Sequence, residues 1–363
     1  MIRTTAALEA ACAAARADGM LTLDTEFVWM RTYRPRLGIV QMGCRSGCWV
    51  LDCMSGMHLD ILRETIEDGA VVKILHDARQ DLTLLRHYVN GVPKNVFDTQ
   101  LAAAFAGFSG GIGLQKLLFE AIGVGLPKTE TCTDWTRRPL SPAQLEYALD
   151  DVRHLPALRD ELLRRAEAFG TVDWLNEDLL RYEDAAAYCD QDPDSAWLRV
   201  KLRSVRLEGN EWAVLRAVAA LRERQALQWN MPRSWLGDDD SLAEMAQRGK
   251  VMHLRHRLKS SSQADVLRKL YAKTIDEAKA LSEEDWPENP RRTFIKEVRD
   301  AADAAVEWLR GRAEELHVDS GVIASRTTVT EFIDNPDDAA NPLASGWRSE
   351  MVGKEMIARF GVD

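Results

Sequence analysis

The stretch Leu21-Thr22-Leu23-Asp24-Thr25-Glu26-Phe27-Val28 decides how the rest of this chain is interpreted. Its apolar and β-branched residues predict a strand, and side chains two apart on a strand point to the same face. Asp24 and Glu26 therefore present two carboxylates together near the end of the strand. A hard divalent cation such as Mg²⁺ would relieve their repulsion, because it prefers oxygen ligands. A strand end with simply solvated acids is the alternative, so the metal interpretation needs further acids.

The composition indicates a globular chain with more than one domain. With 363 residues, 46% of them hydrophobic, the chain is long enough for two or three domains. We find no membrane-length apolar run and no signal segment, so we expect a cytoplasmic protein without membrane contact. The six cysteines lack CxxC spacing and do not indicate a disulfide framework. The formal net charge of −10 argues against coating nucleic acid by bulk electrostatics, but it allows an enzyme that meets phosphates through bound cations.

The order of apolar patterns predicts an α/β region followed by a helical region. Residues 1 to about 165 alternate between strand-like and helical patterns, whereas the rest shows almost only helical periodicity. Short connections join the first three strands and helices separate the later ones, which predicts a mixed sheet covered by helices. The predicted strands span residues 21–28, 37–42, 48–51, 71–75 and 95–97.

A third acid follows the predicted strand at 71–75. Asp81 falls in the first turns of the next helix, where the helix dipole favours an anion. Residues that follow the carboxyl end of a strand also commonly belong to functional sites. A helix-start acid without any functional role is the alternative.

The fourth acid lies on a helix with a clear start signal. Ser141-Pro142-Ala143-Gln144 combines a capping hydroxyl, proline at the first helical position and glutamine three residues after the cap. A helix is therefore predicted from here to about residue 165, with a kink at Pro156, which removes a backbone hydrogen bond. Tyr147 and Asp151 lie four residues apart on one face, where a phenol and a carboxylate can contact the same ligand. An amphipathic helix with a surface aspartate is the alternative.

Together these residues resemble the three exonuclease motifs of the DEDD superfamily in its tyrosine-bearing subclass, and most closely those of the ribonuclease D family. The resemblance implies a ribonuclease-H-like α/β domain with a five-stranded mixed sheet, followed by two helical bundles of the HRDC type shared with some helicases. The segments that match the family are Leu23-Asp24-Thr25-Glu26-Phe27, Arg31-Thr32-Tyr33, Pro35, Leu37-Gly38, Gln41, Leu75-His76, Asp98-Thr99-Gln100, Asp134-Trp135, Arg138-Pro139-Leu140 and Asn230-Met231-Pro232-Arg233. Asp77 and Asp150 are extra acids beside the motif positions, and Asp150 points about 100° away from the shared face.

The resemblance also implies a metal-dependent chemistry. Two divalent cations, Mg²⁺ or Mn²⁺, would be held by four carboxylates: Asp24, Glu26, Asp81 and Asp151. Such a pair stabilises the attacking and leaving oxygens of an in-line phosphodiester displacement. Asp24 is the expected bridging ligand because its strand lies at the centre of the sheet. Tyr147 is expected to orient the attacking water, since a phenol with a pKa of about 10 is a poor base at neutral pH.

Three residues are expected to contact the substrate, each with a structural alternative. Phe27 can wedge against the terminal base and Trp135 can stack on a base or sugar, whereas core packing is the alternative for both. His76 either contacts a phosphate or is a buried structural histidine. A basic cluster in the helical half is either a solvated helix face or a track for the RNA backbone, and it comprises Arg248, Lys250, Arg255, His256, Arg257 and Lys259.

The function implied by the resemblance is metal-dependent hydrolysis of RNA from its 3′ end, which releases nucleoside 5′-monophosphates. Transfer RNA precursors are the implied substrate, and the alternatives are a proofreading-type DNA exonuclease and a catalytically silent nucleic-acid-binding module. We expect the exonuclease domain at 1–185, a linker at 186–204, one HRDC-type domain at 205–287 and a divergent second one at 288–363. No obligate protein partner is expected, and the chain is predicted to be a monomer.

Overall fold

The computed structural model describes residues 1–29, 31–126, 133–190, 192–251, 254, 256–258, 260–290 and 293–362. The chain divides into two compact units. The first unit comprises Met1–Val28, Leu37–Cys189 and Phe294–Asp363, and the second comprises Trp29–Arg36 and Asp190–Thr293. Among the described helices, none combines the length and apolar character needed to cross a lipid bilayer.

A mixed sheet forms the centre of the first unit, as the sequence predicts. Its strands are β1 (Met20–Val28), β2 (Arg36–Cys44), β3 (Gly47–Asp52), β4 (Val72–Leu75) and β5 (Val96–Asp98). They lie in the order β3-β2-β1-β4-β5, so that β1 is the central strand. β4 runs parallel to β1 and β5 runs parallel to β4, whereas β2 and β3 form an antiparallel hairpin.

Both faces of the sheet are covered by helices of the first unit. Leu21 and Leu23 of β1 and Ile74 of β4 are fully buried, as expected for strands that are covered on both sides. The helices that accompany the strands are α1 (Thr5–Asp18), α2 (Leu62–Glu67), α3 (Ala78–Val89), α4 (Thr99–Phe105), α5 (Leu114–Ile122), α6 (Pro142–Arg153), α7 (Leu155–Phe169) and α8 (Val172–Leu179).

The prediction of one helix from 141 to 165 is wrong in one respect: the structure has two helices there. α6 starts with the predicted capping box, in which Ser141 and Gln144 satisfy each other's backbone N–H groups. It ends at Arg153. The next residue, His154, adopts a φ of −97° and a ψ of −7°, and its N–H donates to the carbonyl of Val152. Pro156 has no N–H to donate to that carbonyl, so the predicted kink becomes a break between α6 and α7.

The C-terminal helices belong to the same compact unit as the sheet. Their apolar side chains, such as Ala305, Phe332 and Val352, join the same hydrophobic core as Leu158 and Leu175. These helices are α12 (Lys296–Glu315), α13 (Ser320–Ile323), α14 (Arg326–Asp334), α15 (Gly346–Arg348) and α16 (Lys354–Phe360), with one π-helical turn at Ser349–Gly353. This division into units is not a test of the domain limits predicted from the sequence, and those limits remain predictions.

The second unit is helical and has its own core. Its helices are α9 (Glu211–Gln228), α10 (Asp239–Arg248) and α11 (Ser261–Lys279). Leu215, Leu242 and Leu267 pack together at its centre, and the fully buried Tyr271 donates its hydroxyl to the carbonyl of Leu236. The segment Trp29–Arg36, which follows β1 in the chain, joins this unit through Tyr33.

Candidate active site

Three of the predicted acids converge beside the central strand. Asp24 and Glu26 lie on β1 and Asp151 lies on α6. Each offers a carboxylate oxygen, and these three oxygens all lie within 4.8 Å of one another. The spacing follows from the period of two along β1 and from the docking of α6 beside that strand. Among the described residues, this is the group that offers several carboxylates to one ion.

The carboxylates of the site raise one another's pKa. Burial raises the pKa of Asp24 well above its ordinary value, and the neighbouring carboxylates add to the rise. Burial and the charges of Asp151 and Asp81 raise the pKa of Glu26 to about 8. Burial raises the pKa of Asp151 to about 7, with further contributions from Asp150 and Asp81. Such a set of mutually repelling oxygens fits a divalent cation, which would neutralise the negative charge of the three carboxylates.

The fourth acid, Asp81, is buried in the first turn of α3 and is held by Thr25. The Thr25 hydroxyl donates a short hydrogen bond to the Asp81 carboxylate. Burial raises the pKa of Asp81 to about 7, although the hydrogen bond from Thr25 favours the ionised form. Asp81 therefore acts on the other acids through its charge, while its own oxygen is engaged by the residue between Asp24 and Glu26. The strand pattern did not predict this contact, because alternation places Thr25 on the opposite face.

Tyr147 lies one turn before Asp151 on α6. Burial and the charges of Asp151, Glu26 and Asp24 raise the pKa of Tyr147 far above its usual range. Its hydroxyl is therefore protonated at neutral pH and is able to donate a hydrogen bond. The extra acid Asp150 turns elsewhere, as its position on the helix predicted, and forms an ion pair with Arg153 at 2.5 Å.

The three predicted substrate contacts have different surroundings. Phe27 is half-buried against the main core. Trp135 is only 3% exposed, and its ring lies 6.0 Å from the Tyr147 ring, so its contacts are those of the core-packing alternative. Both ring nitrogens of His76 bind protein atoms, at 2.9 Å from the Thr99 hydroxyl and 3.1 Å from the Ile112 carbonyl. Burial lowers the pKa of His76, which suits a neutral ring in the structural alternative.

A cleft of about 210 Å³ adjoins the acids on the α6 side. It is lined by Gln115 and Leu126 on one side, and by α6 residues on the other, including Tyr147 and Asp151. This cleft gives access to the faces of α6 that carry the candidate catalytic groups.

The predicted basic cluster is only partly described. Arg248, Lys250 and Arg257 are exposed, whereas Arg255 and Lys259 lie outside the described residues. The choice between a solvated helix face and an RNA track therefore stays a prediction.

Asp98 was named in the sequence only as part of a motif and without a role, and the structure gives it one in positioning α3, which carries Asp81. The Asp98 carboxylate accepts the N–H groups of Asp77 and Ala78, both at 3.0 Å, and thereby caps the start of α3. It also caps α4 through the N–H of Gln100 at 2.8 Å. Asp77 itself adopts a φ of 56° and makes no capping bond with its side chain. An aspartate at the junction of a strand and a helix was the available signal, but it indicates only one of these two caps.

Comparisons with known proteins agree with this geometry. A family model described as 3′-5′ exonuclease matches residues 1–167. Ribonuclease D of Acidiphilium cryptum is 32% identical, over 99% of this chain and 93% of its own length. Ribonuclease D of Xanthomonas oryzae pv. oryzae is 33% identical, over 92% of this chain and 91% of its own.

A solved structure extends this similarity to the whole fold. The crystal structure of Escherichia coli RNase D, an exoribonuclease involved in structured RNA processing, superimposes with a TM-score of 0.87. It is 26% identical, and the match covers 100% of this chain and 99% of that one. The family resemblance noted in the sequence motifs is therefore confirmed along the full length. The chain belongs to the ribonuclease D family of 3′–5′ exoribonucleases.

Proposed function

We propose that this chain hydrolyses RNA from the 3′ end, one nucleoside 5′-monophosphate at a time, and that transfer RNA precursors are its substrate. The observation that carries the proposal is the convergence of three carboxylate oxygens within 4.8 Å beside the central strand. Membership of the ribonuclease D family supports the reaction and the RNA substrate. The transfer RNA assignment rests on the motif resemblance.

We propose Asp24, Glu26, Asp81 and Asp151 as ligands of two divalent cations, Mg²⁺ or Mn²⁺. The raised pKa values of these groups support the assignment, because cations would remove the repulsion that produces part of the rise. When bound, the cations would stabilise charge on the attacking and leaving oxygens of the phosphodiester. Asp81 would first exchange its hydrogen bond with Thr25 for a ligand position.

Tyr147 is proposed to hold the attacking water. Its hydroxyl stays protonated because the neighbouring carboxylates oppose its ionisation. A protonated phenol can donate a hydrogen bond to a water oxygen and fix the direction of attack. The half-buried Phe27, next to Glu26, is proposed to pack against the terminal base.

The helical second unit is proposed to bind the RNA backbone as an HRDC-type domain. The exposed Arg248, Lys250 and Arg257 support this role, since RNA binding draws on cationic side chains that face solvent. We also propose that the enzyme works as a cytoplasmic monomer, and light scattering of the purified protein tests its monomeric state.

The proposal is tested with purified protein, 3′-extended transfer RNA and single-stranded DNA, each with Mg²⁺, Mn²⁺ or a chelator. We expect stepwise shortening of the RNA that requires the metal and disappears in Asp24→Asn. Asp18→Asn is the matched control, because Asp18 precedes the other end of β1 and its carboxylate binds Ser46. Activity that survives Asp24→Asn would overturn the site assignment. Shortening of DNA in preference to RNA would instead favour the proofreading-type alternative.

A further inference from the structure

Helix α6, which carries Tyr147, rests on the β2–β3 hairpin through a small separate core. The buried members of this core are Ile39, Val50, Trp135, Leu140 and Ala148. Tyr147 packs against the core at its edge. The place of the Tyr147 ring is therefore set by what holds this core together.

Arg138 ties the segment before α6 to the hairpin with all five of its N–H groups. Its Nε and Nη2 donate to one oxygen of Asp52 on β3, at 2.8 and 2.5 Å. Nη2 also donates to the Gly38 carbonyl on β2 at 2.9 Å. Nη1 donates to the carbonyls of Trp135 and Arg137, both at 2.8 Å. Because the guanidinium is planar and rigid, and each of its N–H groups has an acceptor, these hydrogen bonds fix its position and orientation.

The Asp52 end of this contact is also well fixed. The Asp52 side chain is only 5% exposed. Burial opposes its ionisation, but the hydrogen bond and charge of Arg138 outweigh that effect and hold the pKa of Asp52 below its usual value. Removal of Arg138 therefore leaves a buried carboxylate with only the more exposed Arg3, at 3.1 Å, as its ion-pair partner.

Trp135 connects Arg138 to Tyr147. Its carbonyl accepts from Arg138, and its ring meets the Tyr147 ring at a centroid distance of 6.0 Å and an angle of 33°. The backbone of Trp135 is pressed against Gly38, where an added Cβ would lie 2.6 Å from the Trp135 carbonyl oxygen. Trp135 is thus held from two sides, by the guanidinium of Arg138 and by the backbone of β2.

We propose that Arg138 is a positioning residue for Tyr147, acting through Trp135. This inference rests on the proposed role of Tyr147 as the donor to the attacking water. Without the guanidinium, the Trp135 carbonyl loses its donor, and Trp135 keeps only its contacts with β2 and the small core. The indole ring then shifts, and the Tyr147 hydroxyl shifts with it. A misplaced donor lowers the rate of the chemical step and leaves RNA affinity unchanged, because the N–H groups of Arg138 all bind protein atoms.

A double-mutant cycle between Arg138→Met and Tyr147→Phe tests the proposal. The readouts are kcat, KM and the Mn²⁺ concentration for half-maximal activity, with a short single-stranded RNA as substrate. We expect Tyr147→Phe to lower kcat about 100-fold and Arg138→Met to lower it about 10-fold. In the Tyr147→Phe background, Arg138→Met should change kcat less than about 2-fold, because the group it positions is already gone. KM and the Mn²⁺ requirement should change little in either variant.

Arg3→Met is the matched control. Arg3 binds the Asp52 carboxylate through its other oxygen, whereas Arg138 binds both this carboxylate and the Trp135 carbonyl. Its loss should leave kcat unchanged. If Arg138→Met does not fold, Asp52→Asn gives a milder test, since it weakens the same ion pair while keeping an oxygen acceptor. It should lower kcat to a smaller extent, again only when Tyr147 is present.

The outcomes separate this inference from the function on which it rests. If Tyr147→Phe keeps the wild-type kcat, the role of Tyr147 fails and the positioning proposal fails with it. If Tyr147→Phe is slow but Arg138→Met lowers kcat by the same factor in both backgrounds, only the positioning proposal is overturned. A loss confined to thermal stability, with kcat unchanged in Arg138→Met, overturns it as well.

Discussion

Thr25 lies between the two acids of β1 and donates its hydroxyl to Asp81, so one short strand segment carries two of the four proposed ligands and binds a third. Three of the carboxylate oxygens already lie within 4.8 Å of one another, whereas Asp81 has to give up its bond to Thr25 before it can bind a cation. Glu26 and Asp81 have pKa values of about 8 and about 7, far above those of solvated carboxyls.

These raised pKa values predict how the stability of the metal-free enzyme changes with pH. In the unfolded chain these carboxyls lose their protons near about pH 4, whereas in the folded chain Asp81 and Glu26 keep them to about pH 7 and about pH 8. Because the folded state binds more protons across this window, its stability falls as the pH rises from about 4 to about 8. With chelator present, Tm should fall by about 3–6 °C between about pH 6 and about pH 8.5.

Two comparisons isolate the acids from other titrating groups. Asp24→Asn removes one repelling charge, so its Tm should fall less over the same pH range. Excess Mg²⁺ should restore most of the lost Tm at the higher pH, because a cation replaces the protons. An equal fall in Asp24→Asn and in the wild-type protein would show that the acids do not cause the pH dependence.

Two helices, α3 and α4, begin at one carboxylate at the end of β5. Asp98 accepts from the start of α3, which carries Asp81, and from the start of α4. The Tyr182 hydroxyl also donates to it. Since Asp98 is only 2% exposed, the groups that donate to it lie away from bulk solvent and lose a buried partner if its side chain is removed.

Asp98→Ala is therefore expected to destabilise the protein by about 3 kcal/mol, because it removes two caps and leaves buried donors unpaired. Thr4→Ala is the control: Thr4 caps α1 through a single exposed bond of 3.4 Å, and its loss should cost about 0.5 kcal/mol. Urea denaturation of both variants gives the two free energies of unfolding. Similar losses in both would mean that Asp98 serves only one of the two helices.

The sequence predicted those elements whose signals are local. Strand alternation placed Asp24 and Glu26 on the same face of a strand, and the capping box located the start of α6. The contacts between Thr25 and Asp81, and between Arg138 and Asp52, join residues 56 and 86 positions apart. Such polar pairs leave no periodicity in the sequence, because each needs only one suitable side chain at each end. The break at His154 was predicted only as a kink, because Pro156 shows that a hydrogen bond is absent but not how the chain turns.

The C-terminal helices are part of the same compact unit as the sheet that carries the candidate active site. Trp347 stacks on Trp174 at a centroid distance of 5.1 Å and meets the Phe105 ring edge-on at 5.6 Å. Beside it, Arg348 makes a two-pronged ion pair with Asp178, at 2.6 and 2.7 Å. Asp178, at the end of α8, is only 3% exposed in its side chain. These contacts join α15 to the helices that flank the sheet.

Arg348→Met should destabilise the enzyme by about 3 kcal/mol, because it leaves a buried carboxylate with only the half-exposed Arg181 as its ion partner. Arg326→Met is the matched control, since its ion pair with Asp303 is exposed at both ends and should contribute less than about 0.5 kcal/mol.

Since the C-terminal helices share one core with the sheet, the effect should reach the active site. In Arg348→Met, exonuclease activity and the circular dichroism of the helices should be lost together at a temperature about 6–10 °C below that of the wild-type enzyme. A variant in which the C-terminal helices melt first while RNA hydrolysis continues would show that the shared core does not couple them. The control Arg326→Met should lose activity at the wild-type temperature, which separates the buried contact from any general effect of removing an arginine.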